Sequence, residues 1–395
     1  MKILVVCQYY YPEPFRITDI CQEWVRRGHD VTVLTGLPNY PMGEIYDGYK
    51  TKDKRYEVIE GVKVHRCYEI PRRKGPLFRM LNYYSFDWSA RRYIKRLKED
   101  FDVVFINQLS PVMMARAGIE YAKAHKVKSV MYCLDLWPES LVAGGIKRGS
   151  LLYNHYHKVS KQIYKNVDKI LVTSRAFEGY LKKEFGIADG VIDYLPQYAE
   201  DLFDANTCKK TPDGYIDLLF AGNVGTAQSL QTVIMAAKKT MDIKNLRWHI
   251  VGDGSDLERI KGIAKRDGVD NVTFYGRRPL EEMPDFYKKA DAMLVTLMDD
   301  DFLSMTLPGK VQTYMATGKP IIVSANGEVA TVVESAECGY VSPAEDVDGL
   351  VENVRKFCQI HDTDEIVRLG DNAKVYSDEH FKREKFFECL ENMTD

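Results

Sequence analysis

The sequence predicts an α/β protein of two doubly wound domains, each a parallel sheet covered by helices on both faces. Short apolar, β-branched runs alternate with longer amphipathic stretches along the 395 residues. The alternation breaks once, near Leu195-Pro196-Gln197, and then starts again. Continuous apolar strands separated by helices are typical of parallel sheets that are buried on both sides. The length also favours more than one domain.

Composition excludes several classes of protein. The chain is 45% hydrophobic and 28% charged, which is typical of a globular protein. The net charge of −2 argues against a nucleic-acid binder. Eight cysteines without a CxxC pair argue against a disulfide framework or a zinc site and favour a reducing compartment. The sequence contains no run of about eighteen apolar residues, so it predicts no membrane span. The apolar run at its start is too short for a signal peptide.

The first half of the chain supplies the strands and helices of the first predicted domain. The predicted helices are 17–27, 112–125 and 151–166. The predicted strands are Ile3–Val6, Val31–Thr35, Val62–Arg66, Val103–Ile106, Ser129–Cys133, Lys169–Thr173 and Val191–Leu195. The right-handed crossover rule then gives a doubly wound sheet.

A second series of strands follows a polar segment, Asp201–Gly214, that is typical of a linker. We assign residues 1–198 to the N-terminal domain and 199–376 to the C-terminal domain, with a terminal helix over 377–395 crossing back to the first. Its clearest amphipathic part is Ser377–Leu390. Because ligands bind beyond the carboxyl ends of parallel strands, we expect two Rossmann-like domains to face each other across a cleft. The second set of predicted strands is Ile216–Ala221, Arg247–Val251, Val272–Tyr275, Ala292–Thr296, Pro320–Val323 and Gly339–Val341.

Glycines and polar residues concentrate after the strands of the second domain. The turn Gly222–Gln228 runs into a helix near Ser229, and free backbone N–H groups at a helix start suit a phosphate. A plain tight turn is the alternative. After the next strand, Ser255 and Glu258 have capping-box spacing behind a glycine turn. The residues concerned are Gly222, Asn223, Gly225, Gln228, Gly252, Asp253 and Gly254.

Two further segments of the second domain carry cations. Arg277 and Arg278, after Tyr275, could stack on a base or pair with phosphate, or they could simply be a solvated turn. Lys310 opens a helix, where a cation opposes the helix dipole unless an anion binds there. We therefore favour a functional role for Lys310. The flanking residues of that turn and helix are Pro308, Gly309 and Thr313.

In the first domain, the candidates follow two strands. The loop after the first strand carries four of them: Tyr11, Glu13, Phe15 and Arg16. After a later strand, Asp135 and Glu139 are placed for acceptor contact or base chemistry beside Trp137. The alternative is that Asp135 caps a turn and Trp137 packs in the core. No cluster has metal-ligand spacing, and we interpret Asp299–Asp301 as a solvated loop.

The stretch from Pro71 to Lys98 combines charge with aromatic residues. It holds nine Lys or Arg residues against one acid, Asp87, interleaved with large apolar side chains. A basic and aromatic helix favours contact with an anionic membrane surface. A solvated basic face that packs its aromatic side chains inward is the alternative.

Taken together, these motifs resemble glycosyltransferase family 4, and most of all its WbuB-like branch of bacterial enzymes for exopolysaccharide, capsule and O-antigen. The matching segments span almost the whole chain: Gln8–Arg16, Arg27–Val33, Asp135–Glu139, Ala221–Gln228, Val251–Gly254, Tyr275–Arg278 and Pro308–Pro320.

The resemblance implies a GT-B fold and a metal-independent hexosyl- or N-acetylhexosaminyltransferase that retains anomeric configuration and has no cofactor. It also implies a UDP-sugar in the second domain, with Gly225 and Lys310 on the diphosphate and Tyr275–Arg278 on the base. A polyprenyl-diphosphate-linked saccharide would bind the first domain, at the inner face of the plasma membrane.

The sequence departs from the family at positions that matter for catalysis. Asn223 and Gln228 stand where an Arg and a Lys are frequent, and Met305 and Thr313 replace a frequent pair of glutamates. A frequent His is also absent, where Asn107–Ser110 stands. By this reasoning Lys310 is the main cation left for the diphosphate, with Arg16 as a second candidate and Asp135 on the acceptor side. A sugar-nucleotide epimerase of the same fold and an inactive scaffold at the membrane are the alternative functions.

Overall fold

The computed structural model describes residues 1–51 and 53–394. The chain divides into two compact units. Unit 1 comprises Met1–Thr173, Phe177–Leu195 and Leu390–Asp395, and unit 2 comprises Ser174–Ala176 and Pro196–Cys389. The boundary predicted from the sequence lies close by, after residue 198.

Unit 1 is built on one sheet of eight strands within its described residues. Its helices are α1 (Ile17–Arg26), α2 (Pro76–Ile94), α3 (Arg116–His125), α4 (Glu139–Ala143), α5 (Leu151–Tyr164) and α6 (Arg175–Phe185). Its strands are β1 (Lys2–Val6), β2 (Asp30–Thr35), β3 (Tyr56–Ile59), β4 (Val62–Arg66), β5 (Val103–Gln108), β6 (Lys128–Cys133), β7 (Lys169–Val172) and β8 (Ile192–Tyr194).

Unit 2 carries six strands in the part that is described. Its strands are β9 (Ile216–Ala221), β10 (Leu246–Val251), β11 (Val272–Gly276), β12 (Ala292–Thr296), β13 (Ile321–Ser324) and β14 (Gly339–Ser342). Its helices are α7 (Leu230–Lys239), α8 (Leu257–Arg266), α9 (Met283–Lys289), α10 (Asp301–Ser304), α11 (Gly309–Ala316), α12 (Glu328–Ser335), α13 (Val347–Ile360) and α14 (Asp364–His380). The last helix, α15 (Arg383–Thr394), begins in unit 2, and its residues from Leu390 onward belong to unit 1.

Strand order confirms the doubly wound prediction. The strands of unit 1 lie in the order β3-β4-β2-β1-β5-β6-β7-β8, and those of unit 2 in the order β11-β10-β9-β12-β13-β14. The order reverses beside β1 and beside β9, so the loops after these two strands lie at topological switch points, where such sheets bind ligands. Successive residues of β9 feed opposite faces, because Leu219 joins one hydrophobic cluster while Leu218 and Phe220 join the other.

Two predictions from the sequence need correction. The strand β3 was missed: it pairs antiparallel with β4 through a turn in which Glu60 and Gly61 have φ of 48° and 82°. Positive φ at both turn residues is the hairpin geometry that matches strand twist. The single terminal helix is also wrong, because α14 and α15 are separate helices that break at Phe381, whose side chain is buried. Of the predicted span 377–395, Asp395 lies outside the described residues.

The predicted linker is irregular, as expected, but it is not merely solvated. Phe203 and Cys208 are buried in the core of unit 2. Lys210 Nζ lies 2.7 Å from a carboxylate oxygen of Asp217 and 2.5 Å from one of Asp291. In the part of the chain that the structure describes, no helix combines the length and apolar character needed to cross a bilayer.

Candidate functional site

In unit 2, the loops after β9, β10 and β11 lie side by side and are held together by their backbones. Gly222 N donates to Val251 O, and Gly252 N donates to Gly276 O, each at 2.9 Å. A Cβ on Gly252 would lie 1.8 Å from Gly222 O, and the φ of Gly252 is +141°. A side chain at Gly252 is therefore excluded twice, by space and by backbone conformation. The backbone around Gly222 and Gly252 therefore forms a surface of peptide groups at the strand ends, which we call the glycine floor.

The turn that begins at Gly222 differs from the prediction in one respect. Gly225 has an ordinary φ of −109°, and its N–H donates to Gln228 Oε1 at 3.0 Å. The same oxygen accepts from Asn223 Nδ2 at 3.3 Å. The Gly225 N–H is therefore already satisfied, and a phosphate would have to displace Gln228 to reach it. The helix α7 starts at Leu230, after a 3₁₀ turn and a left-handed Ser229 with φ of 43°, which confirms the predicted start near Ser229.

The turn after β10 is also capped differently from the prediction. Asp253 Oδ1 accepts from Gly254 N at 2.7 Å, and a Cβ on Gly254 would lie 2.3 Å from Val224 O. The predicted capping box at Ser255 is wrong, because Asp256 precedes α8. Its carboxylate pairs with Arg259 at 2.6 Å.

Lys310 is a cation that lies beside the glycine floor. It is the second residue of α11, and a Cβ on Gly222 would lie 3.2 Å from its Nζ. The Nζ is buried and, among the residues described, has no hydrogen-bond partner; it lies 3.9 Å from the centroid of the Phe220 ring. Burial lowers the pKa of Lys310 from 10.5 to about 7. A buried ammonium without a partner is costly, and an anion at this position would stabilise it.

The other residues of this edge take different roles. Tyr275 is tied down: its hydroxyl lies 2.8 Å from His249 Nδ1, and His249 Nε2 lies 2.7 Å from the buried Asp217. Arg277 and Arg278 are exposed beyond the strand end. They, together with the backbone of Gly276, are the groups that β11 offers to a ligand.

The turn before α11 continues the same edge. Pro308 precedes the helix, which begins at Gly309. Thr313 Oγ1 donates to Glu200 Oε2 at 3.1 Å, so Thr313, one of the two positions where the family frequently carries glutamate, is engaged within unit 2. The other, Met305, follows α10.

In unit 1, Glu13 is a structural carboxylate. It is 3% exposed and accepts from the backbone N–H groups of Tyr10, Asn39 and Tyr40 at 3.3, 2.9 and 2.7 Å. Burial outweighs these hydrogen bonds and raises the pKa of Glu13 to about 7. Glu13 therefore fastens the loop after β1 to the loop after β2, and it does not face an acceptor as the sequence led us to expect.

An aromatic cluster is formed by residues of the same two loops. Tyr9 stacks on Phe15 with ring centroids 5.1 Å apart, and Phe15 lies 5.4 Å from Tyr40. Tyr11 is 45% exposed, and Arg16 directly precedes α1. Exposed aromatic rings at strand ends can bind the apolar faces of sugar rings.

The carboxylate of Asp135 follows β6 and belongs to a short chain of hydrogen bonds. Ser110 Oγ donates to Asp135 and in turn accepts from Trp137 Nε1 at 2.6 Å. Burial raises the pKa of Asp135, and the hydrogen bonds oppose that shift. Asp135 is thus a partly buried carboxyl with a raised pKa at the carboxyl end of a strand, which is a property of general acids and bases.

Trp137 and Glu139 serve the core of unit 1. Trp137 is fully buried, which matches the alternative interpretation of the sequence. Glu139 is 1% exposed and accepts from the hydroxyls of Tyr153 and Tyr180 at 2.6 and 2.7 Å, and it also pairs with Arg148. These three donors overcome burial and lower the pKa of Glu139. Both side chains are therefore structural, which corrects their expected contact with an acceptor.

Several polar residues at these strand ends were not singled out as candidates from the sequence. Glu69 is fully buried and accepts from Gln8 Nε2 at 2.9 Å and from Asn39. Arg72 lies 5.8 and 5.7 Å from the ring centroids of Tyr40 and Tyr83. These residues come from separate segments with no shared motif, so only the fold brings them together. No group of three or more potential metal-ligating side chains is found among the described residues.

Comparison with known proteins identifies the two units. A family model described as glycosyl transferase 4-like domain matches residues 15–197, and one described as glycosyl transferases group 1 matches residues 207–375. Escherichia coli K12 has a relative named as the colanic acid biosynthesis glycosyl transferase WcaI, 26% identical over 90% of this chain and 92% of that protein. The Pseudomonas aeruginosa protein named as glycosyltransferase WbjE is 25% identical over 67% and 68% of the two chains.

Solved structures show the same fold. Sucrose-phosphate synthase from Thermosynechococcus elongatus matches with a TM-score of 0.75 at 18% identity, covering 99% of this chain and 98% of that one. Anabaena HepE, solved with UDP and glucose, matches with a TM-score of 0.70 at 15% identity, covering 100% and 99%. Both have the two parallel-sheet domains of GT-B enzymes. With its 4-like domain followed by its group 1 domain, this chain belongs to the GT-B glycosyltransferases.

Proposed function

We propose that this glycosyltransferase moves a sugar from a UDP-sugar to a lipid-linked saccharide during assembly of a bacterial exopolysaccharide, capsule or O-antigen. We further propose that transfer retains the anomeric configuration and needs no metal ion or other cofactor. The name of WcaI supports a role in polysaccharide assembly, and the HepE complex with UDP and glucose supports a UDP-linked donor.

The observation that carries this proposal is the buried, unpaired Nζ of Lys310 against the glycine floor of unit 2. A nucleotide-sugar offers a diphosphate that can neutralise the ammonium and accept backbone N–H groups at the same time. The base would then lie toward Gly276–Arg278, beyond β11.

In this mechanism Lys310 stabilises the charge that develops on the leaving diphosphate. The acceptor hydroxyl attacks from the face that the nucleotide leaves, and its proton passes to the departing phosphate oxygen. The new bond joins the anomeric carbon to the acceptor oxygen, while the bond from that carbon to the phosphate oxygen breaks. Asp135 would orient the acceptor hydroxyl, and Arg16 would add a second positive charge.

Unit 1 supports an acceptor at the membrane. Four exposed side chains of α2 recur at positions 77, 81, 84 and 88, which is the spacing of one helix face. Leu77 is 67% exposed and Trp88 is 61% exposed. Arg92 lies 5.6 Å over the Trp88 ring, and further cations border the stripe. An apolar stripe with basic borders fits the interface of an anionic bilayer, so we propose peripheral binding at the cytoplasmic face of the plasma membrane.

A transfer assay tests the proposal. Purified protein is incubated with single UDP-sugars, a chelator, and bacterial membranes that contain polyprenyl-diphosphate-linked saccharides. We expect transfer of one sugar, a product with the anomeric configuration of the donor, and the same rate with and without chelator. Conversion of the donor without membranes would establish an epimerase instead. Failure to bind any nucleotide in calorimetry would establish a scaffold.

A further inference from the structure

We propose that Arg72 binds a phosphate of the acceptor, so that unit 1 selects a saccharide linked to a lipid through phosphate and not a free sugar. This inference rests on the proposed function, because it names the part of the lipid-linked acceptor that unit 1 holds. Arg72 lies in the loop that leads from β4 into α2. The sequence pointed to it only as one of the nine basic residues of the stretch from Pro71 to Lys98.

The surroundings fix the Arg72 guanidinium in place. Its Cζ lies 5.8 Å from the ring centroid of Tyr40 and 5.7 Å from that of Tyr83. Its backbone N–H donates to Asn39 Oδ1 at 2.8 Å, which anchors the main chain at the same point. Aromatic rings attract a guanidinium that lies over their faces, and its N–H groups can donate to an anion.

The position lacks a built-in counter-charge. Within the described residues, no carboxylate oxygen lies within ion-pair distance of Arg72. Two other arginines of unit 1 do have an acidic partner: Arg66 lies 2.7 Å from Glu57, and Arg116 lies 2.9 Å from Asp87. A partly buried cation that has aromatic neighbours and no acid is suited to an anionic ligand.

Neighbouring carboxylates do not fill this role. Glu69 is occupied by Gln8 and Asn39, and Glu13 is occupied by three backbone N–H groups. Their side chains therefore shape the loops around Arg72 without neutralising it.

The direction of α2 indicates what the phosphate is attached to. The helix starts at Pro76, directly after Arg72 and two exposed basic residues, and its exposed apolar stripe begins at Leu77. A phosphate at Arg72 would therefore have apolar surface for a lipid tail on one side and the strand ends of unit 1 on the other. A diphosphate-linked polyprenyl saccharide has this order of parts.

Binding of a lipid diphosphate tests the inference without relying on transfer. Farnesyl diphosphate and farnesol are titrated into the protein in the presence of saturating UDP, which occupies the site at Lys310. We expect Arg72→Gln to weaken farnesyl diphosphate binding by about tenfold to a hundredfold, the loss expected for charge-assisted hydrogen bonds to phosphate. Farnesol binding and UDP binding should not change.

Control variants separate the possible outcomes. Arg73→Gln removes an exposed charge that stacks on Phe78, 5.7 Å away, and it should change binding less than about threefold. Arg72→Lys keeps the charge but not the planar fork, and it should bind with intermediate affinity and an unchanged melting temperature.

Equal binding of farnesyl diphosphate by wild type and Arg72→Gln would overturn the inference. So would a loss restricted to adsorption on anionic vesicles, since that result would assign Arg72 to bulk lipid headgroups. If Arg72 binds the diphosphate but no sugar is transferred, the inference stands and the proposed function fails.

Discussion

The two units differ in the groups that form the surface at the carboxyl ends of their parallel strands. At the strand ends of unit 2, backbone and glycine form much of the surface, with the buried Lys310 and the exposed Arg277 and Arg278 as cations. At the strand ends of unit 1, side chains from loops far apart in sequence come together. They include aromatic rings, Arg72 beside two of those rings, and the buried carboxylates of Glu13 and Glu69. A backbone floor suits the constant part of a substrate, the diphosphate, whereas a surface of side chains can be changed to suit a particular acceptor.

The two proposed ligand-binding cations, Lys310 in unit 2 and Arg72 in unit 1, differ in how their charge depends on pH. The Lys310 Nζ is buried and has no hydrogen-bond partner in the described part of the chain, and burial lowers its pKa to about 7. Arg72 keeps its charge at any physiological pH, because a guanidinium does not deprotonate in proteins. We therefore expect donor binding to depend on pH and acceptor binding to be much less sensitive.

The largest expected effect is on turnover, from substitutions in unit 2. Lys310→Met removes the charge that faces the leaving diphosphate and should lower kcat by about a thousandfold, the scale of losing one strong electrostatic contact in a transition state. The control is Lys319→Met. Lys319 is also a buried lysine, with its pKa lowered to about 8 chiefly by burial, but it follows the far end of α11. Equal kcat losses in both variants would mean that Lys310 has no special role.

Glycine substitutions test whether the floor is made of backbone. Gly252→Ala places a Cβ 1.8 Å from Gly222 O at a φ of +141°, and it should lower the free energy of unfolding by about 3 kcal/mol or more. Gly262→Ala lies within α8, where no atom stands within 4 Å of the new Cβ. It should stabilise the protein by about 0.5–1 kcal/mol. Thermal and denaturant unfolding measure both, and a mild effect at Gly252 would refute the close packing.

In unit 1, two carboxylates separate structure from chemistry. Glu139→Ala would leave two buried tyrosine hydroxyls and Arg148 without their acceptor, and it should cost about 2–4 kcal/mol in unfolding free energy. Asp135→Asn should instead preserve the melting temperature and reduce kcat. Paired unfolding and kinetic measurements check this, and the opposite pattern would exchange the two roles.

The smallest expected effect concerns the exposed apolar stripe of α2. Trp88→Ser removes one 61% exposed side chain and should weaken binding to anionic vesicles by roughly threefold to tenfold, with kcat on a soluble acceptor unchanged. Val367→Ser, in α14 of unit 2, removes a 60% exposed side chain away from the stripe and should leave vesicle binding unchanged. A vesicle sedimentation assay that gave equal binding for wild type and Trp88→Ser would remove α2 from the membrane contact.

Local pattern was enough to predict most of the fold. The buried strands are continuous apolar runs, so β9 and β12 were predicted at their observed bounds. The edge strand β3 has only four residues, with Tyr56 and Val58 exposed, and it lacks the apolar run that identifies a buried strand. The break at Phe381 depends on burial of that side chain in unit 2, which a helical pattern does not reveal.

The candidate site can be proposed from the sequence where it is made of consecutive residues. Gly222 and Gly252 stand in turns and Lys310 stands in the first turn of α11, where the local sequence carries the signal. Contacts between distant segments could not be predicted from the sequence. Glu13 accepts hydrogen bonds from the backbone of Asn39 and Tyr40, and this contact exists only in the folded protein. The same is true of Arg72 beside the rings of Tyr40 and Tyr83, whereas the hydrogen bond from the Gly225 N–H to Gln228 is local.

The most direct test of the central claim is calorimetry of UDP-glucose binding from about pH 6 to about pH 9. Its diphosphate is esterified at both ends and keeps a constant charge over this range. Because the free protein loses the Lys310 proton near pH 7 and the bound anion favours the charged form, affinity should be constant below pH 7. Above it, affinity should fall by up to about tenfold per pH unit, with uptake of a proton on binding. Lys310→Met should bind weakly and independently of pH. Equal affinity and equal pH dependence in wild type and Lys310→Met would contradict the assignment of Lys310 to the donor diphosphate.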